Sequence, residues 1–126
     1  PVAPSLSYHS ELDPNAISAA PPRSELFAAW RAFVREDDIV VGWGRYATDL
    51  LRKHGGYLPD SFVDLRITAA RFLKTKPGAI ESFAAGIGAA PETLGTARGG
   101  RRLALTTAAT TWLLTEHDRR IAAFAP

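Results

Sequence analysis

The chain has 126 residues, with 15 basic and 13 acidic side chains and a formal net charge of +2. That length fits one domain by the usual span of roughly 100–200 residues, and a hydrophobic content of 46% excludes a disordered or collagen-like chain. No cysteine is present, which excludes a disulfide framework, a thiolate metal site and a catalytic thiol.

Pro4, Pro14, Pro21 and Pro22 punctuate residues 1–23. Proline lacks the amide donor and restricts the residue before it, so this stretch is expected to be an irregular, extended lead-in. A short strand over residues 6–9 and a turn at Asp13-Pro14-Asn15 are expected within it. The pattern changes at Ser24, which can cap a helix through its hydroxyl, with Glu25 in the first turn. Leu26, Phe27, Trp30, Phe33 and Val34 then form one apolar stripe at helical spacing. Residues 24–126 are expected to form a single domain.

Glu36-Asp37-Asp38 closes that helix, and Ile39-Val40-Val41-Gly42-Trp43 follows. A compact β-branched run of this kind reads as a short central strand, buried on both faces. A helix from Arg45 to about Lys53 stops at His54-Gly55-Gly56, where glycine supplies the left-handed cap. Residues 61–64 read as a short strand leading into a helix with Ile67, Ala70 and Leu73. The loop Lys74-Thr75-Lys76-Pro77-Gly78 ends it. Another short helix carries Ile80, Phe83, Ala84 and Ile87, with Gly88 at its end. Residues 95–102 read as a Gly/Arg loop, and residues 103–114, apolar nearly all round, as a buried helix. The order helix–strand–helix–strand–helix predicts an α/β fold rich in helix.

Charge is uneven along this order. Residues 1–63 hold six basic and eight acidic side chains, and residues 64–126 hold nine and five. The apolar runs are short and broken by Arg, Asp or Gly, so no membrane span of about 20 residues fits. No basic-then-apolar leader pattern opens the chain, and the expected location is cytoplasmic. Methionine is absent, and a chain opening Pro1-Val2-Ala3 is expected to be a processed or excised part of a longer product.

Chemistry-bearing patterns are few. His9, His54 and His117 lie far apart, and none has a metal-type neighbour such as a second histidine three or four residues away. No G-x-S-x-G nucleophile elbow occurs. Gly95-Thr96-Ala97-Arg98-Gly99-Gly100-Arg101-Arg102 lacks the G-K-[ST] ending of a phosphate-binding loop. Its arginines and glycine amides can nevertheless grip phosphate without catalysis. Arg98, Arg101 and Arg102, with Lys74 and Lys76, are therefore the expected nucleic-acid contacts, placed in loops at helix ends. Two-metal phosphodiester cleavage needs several converging carboxylates. Glu11 and Asp13, the Glu36-Asp37-Asp38 turn, and the isolated Asp49, Asp60 and Asp64 supply no such set, so neither metal nor other cofactor is expected.

The segment order resembles the later part of a DEDD-class 3′–5′ exonuclease, on the RNase H-like fold. Trp43-Gly44-Arg45-Tyr46 is similar to the family's W-G-x-[YW]-D motif, with Ala47 at the aspartate position. Phe62-Val63-Asp64-Leu65-Arg66 is similar to the family's short strand ending in a supporting aspartate. Residues 79–88 resemble its next helix, of the sL-x-x-la-x-x-lgi kind. Residues 102–108 occupy the place of the final H-R-A-L-x-D-A motif, with Arg102 for the histidine and Thr107 for the aspartate. The opening D-x-E strand has no counterpart. The likeness spans about residues 24–115.

What the resemblance implies is a partial RNase H-like fold without its catalysis. Alanine and threonine supply no carboxylate oxygen for Mg²⁺, and a permanently cationic arginine is no general base. The expected function is a non-catalytic, exonuclease-like binding or scaffold domain of a nucleic-acid-processing protein, meeting RNA or DNA through the basic loop. One alternative is the accessory or C-terminal half of an RNA-modifying or nuclease enzyme whose catalytic domain lies upstream. A second is a protein-interaction domain anchored by Trp43, Tyr46 and Tyr57.

Overall fold

The computed structural model describes residues 3–124; the outermost parts of the two expected regions, residues 1–2 and 125–126, lie outside it. The chain is mixed α/β and mainly helical, in the order α1 (Pro4–Ser10), α2 (Pro14–Ser18), α3 (Arg23–Phe33), β1 (Val40–Gly42), α4 (Tyr46–Lys53), β2 (Phe62–Asp64), α5 (Leu65–Leu73), α6 (Ile80–Gly86) and α7 (Arg98–Phe124). It divides into two compact units, residues 1–68 and 69–126, with the boundary inside α5.

In the first unit the prolines start helices instead of preventing them. Pro4 and Pro14 stand in the first turns of α1 and α2, where proline's fixed φ suits the helix and its missing N–H is no loss. Asp13 is the N-cap of α2, its carboxylate accepting the amides of Asn15 (2.8 Å) and Ala16 (3.4 Å). The lead-in read as extended, with a strand over residues 6–9, is therefore two short helices. Ser24 is not the cap of α3. The cap is Pro22, two residues earlier, whose carbonyl accepts the Glu25 amide, leaving Ser24 inside the first turn. Trp30, on the expected stripe, donates its Nε1–H to the Tyr57 carbonyl at 2.7 Å, and Arg31 lies over the Tyr57 ring.

β1 and β2 pair in parallel, Val40 with Phe62, Val41 with Val63 and Gly42 with Asp64, and they form the whole sheet among the described residues. The expected strand is present but is neither central nor buried. With one neighbour it is an edge, and Ile39 is 63% exposed. Continuous β-branched sequence shows strand preference, but it does not show how many strands flank it. α4 runs and stops as expected, with His54 at its C-cap and Gly55 at φ +82°.

The second unit is helical. Ile80, Phe83 and Ala84 of α6 and Ala104, Ala109 and Leu113 of α7 are buried, and Ala69 of α5 is fully buried. Trp112 sets its ring edge-to-face with both Phe72 and Phe83, at centroid distances of 6.2 and 5.9 Å. α7 is much longer than the apolar run that announced it and spans about 40 Å at 1.5 Å per residue. It is also not buried all round, since Leu103 and Leu114 are exposed. Thr106, Thr107, Thr110, Thr111 and Thr115 each return their hydroxyl to the carbonyl four residues back, so these polar groups are satisfied within the helix.

Candidate nucleic-acid interface

The residues expected to contact phosphate all lie in the second unit. Residues 98–102, read as a loop, form the first turn and more of α7. Gly99 and Gly100 are poor helix formers, but close packing requires Gly100. A Cβ there would collide with the Leu94 carbonyl, so the chain entering the helix lies directly against its backbone. Tertiary contact overrides local propensity at this point.

The helical register has a consequence for charge. Arg98, Arg101 and Arg102 stand at i, i+3 and i+4, one face of α7, all half-buried. Arg102 Nε lies 3.4 Å from Glu81 Oε1 of α6. Lys74 and Lys76 are exposed on the separate loop between α5 and α6, Lys74 in the left-handed region at φ +56°. The structure therefore gathers the three arginines on one helix face, partly neutralised by Glu81, and leaves the two lysines on a different element.

The positions carried by the resemblance fall in both units and are described separately. In the first, Trp43-Gly44-Arg45-Tyr46 leads from β1 into α4, with Gly44 at φ +83°. Asp64 ends β2, and its Oδ1 accepts three backbone amides: Gly44 at 3.2 Å, Arg66 at 3.1 Å and Ile67 at 3.2 Å. It therefore caps α5 and ties the β1–α4 loop to the end of β2. Such a carboxylate is a structural brace. Ala47 is exposed. Arg45 lies over the Phe62 ring at 4.9 Å and 3.9 Å from Asp49. In the second unit Thr107 donates its hydroxyl to the Leu103 carbonyl at 3.0 Å.

No group of three or more His, Asp or Glu side chains gathers in metal-binding fashion among the described residues. Each histidine is exposed and has a neighbour. His9 meets the Tyr8 ring edge, Arg23 donates to His54 Nδ1 at 2.8 Å, and His117 Nδ1 lies 3.6 Å from Asp118. Of the aromatic anchors, Tyr46 is 82% exposed, whereas Trp43 and Tyr57 are half-buried.

Sequence reading missed the Asp64 brace and the Arg102–Glu81 pair. Asp64 ahead of Leu65-Arg66-Ile67 carries a legible capping signal; its reach to Gly44, 20 residues away, has none. No helix among the described residues is long and apolar enough to cross a membrane. Searches with family models, curated proteins and solved structures find no match to the chain.

Proposed function

We propose that the chain is a non-catalytic, exonuclease-like module of the RNase H-like class, serving as a binding or scaffold part of a nucleic-acid-processing protein. The observation that carries this reading is the fate of the carboxylates. The one acidic residue retained in the matched motifs, Asp64, has an oxygen committed to three backbone amides. The positions where the family places its other late ligands and its base hold Ala47, Thr107 and Arg102. Thr107 is turned onto its own helix and Arg102 faces Glu81. Two-metal phosphodiester chemistry has no ligand set to work with in these residues.

The arginine face at the start of α7 supports the nucleic-acid part of the reading. Arginines reading phosphate rather than base edges bind without sequence preference. The test is incubation of the purified chain with labelled single-stranded DNA and RNA and Mg²⁺ or Mn²⁺. No cleavage is expected. Chelator-sensitive cleavage that survives repurification would overturn the proposal.

A further inference from the structure

We propose that Glu81 is a resident competitor of phosphate at the arginine face: Arg102 is held on its carboxylate and exchanges it for a nucleic-acid phosphate on binding. The inference rests on the nucleic-acid reading above and gives that site an internal control.

Two packed elements hold the pair in place. Glu81 lies in the first turn of α6, next to Ile80, which is fully buried, and two residues before Phe83, which is also buried. Arg102 lies in α7 two residues before the buried Ala104, and its carbonyl accepts the Thr106 hydroxyl at 2.8 Å. Neither backbone can withdraw without opening the core. The two side chains therefore meet across a fixed gap, with Arg102 Nε 3.4 Å from Glu81 Oε1. They are 39% and 41% exposed, so the pair is open to solvent and to a ligand.

The exchange follows from the relative strength of the two contacts. A half-exposed ion pair contributes little to stability, because water screens both charges. A phosphate offers the guanidinium a bidentate, charge-assisted contact and can take the place of the carboxylate. The displaced carboxylate stays behind on α6. At roughly 6 Å from the bound phosphate, two like charges in water repel by enough to weaken binding about threefold. The exchange is favoured where neighbouring phosphates meet Arg98 and Arg101, on the same face of α7, at the same time. A polyanion provides that and a lone phosphate does not.

Fluorescence anisotropy of the full 126-residue chain with a labelled single-stranded oligonucleotide, near about 0.1 M salt, tests the exchange. Glu81→Gln should tighten binding about threefold. Glu81→Asp, which keeps the charge but draws it back from Arg102, should tighten it by less. In an Arg102→Ala background, Glu81→Gln should leave affinity unchanged. Asp118→Asn removes the same charge about 24 Å further along α7, beyond the roughly 10 Å screening length, and should also leave it unchanged. Circular dichroism checks that each variant is folded; if Glu81→Gln unfolds, Glu81→Asp decides. Equal binding by wild type and Glu81→Gln, the same tightening without Arg102, or equal tightening by Asp118→Asn overturns the exchange and leaves the nucleic-acid reading in place. No binding by either wild type or Glu81→Gln removes both.

Discussion

The two units hold together by different means. In residues 69–126 the interior is apolar: Ala69, Ile80, Ala84 and Ala109 are at most 1% exposed, and Phe72, Phe83 and Trp112 stack edge-to-face among them. In residues 1–68 few apolar side chains are buried: Pro59, which is fully buried, with Val34 and Leu65. Its loops are fastened by single polar links: Trp30 to the Tyr57 carbonyl, and Asp64 to Gly44 and the start of α5. Apolar burial is proportional to area and non-directional, whereas a hydrogen bond contributes a small net amount but fixes geometry. The second unit should therefore respond most to lost volume and the first most to lost acceptors.

Ile80→Ala should have the largest effect. Its side chain is fully buried, and truncation there should cost about 2–5 kcal/mol, read from the urea midpoint. Gly100→Ala should come next, at about 1–3 kcal/mol, because the added methyl meets the Leu94 carbonyl in a packed place. Better intrinsic helix propensity for alanine would give the opposite sign, so the direction alone tests the contact.

In the first unit, Asp64→Ala should cost about 1–2 kcal/mol, with faster amide exchange at Gly44, Arg66 and Ile67. Asp64→Asn, which keeps an acceptor oxygen, should restore much of that protection. Trp30→Phe should cost least, about 0.5–1.5 kcal/mol, by leaving the Tyr57 carbonyl without its donor. An Ile80→Ala cost no larger than that of Trp30→Phe would erase the distinction between the units.

Local signals carried much of this architecture. Glycine at helix ends placed the stops after α4 and α6, at Gly55 and Gly88. Helical spacing of Ile80, Phe83 and Ala84 found the buried face of α6. Where the reading departed from the structure, the deciding term was distant in sequence or ambiguous in sign. Proline breaks a helix inside it and starts one at its first turn, and Pro4 and Pro14 do the second. Nothing in Gly99-Gly100 reveals that a neighbouring carbonyl needs the space of a missing Cβ. The β-branched run at residues 39–43 states a preference for strand but not the number of its neighbours. At the candidate interface the three arginines were legible as a charge cluster; their helical geometry and the pairing of Arg102 with Glu81 were not, because Glu81 is 21 residues away.

The functional account rests most heavily on the arginine face of α7. Fluorescence anisotropy with single- and double-stranded oligonucleotides across a salt series tests it directly, comparing wild type with Arg98/Arg101/Arg102→Ala. Three phosphate contacts predict a log–log salt slope of about −2 on single strands and about −3 on duplex DNA. Wild-type affinity should be micromolar or weaker near physiological salt. The triple variant should lose both the binding and the slope. Equal binding by the two proteins, or no binding by wild type at low salt, would contradict the account and leave the chain without a nucleic-acid site on α7.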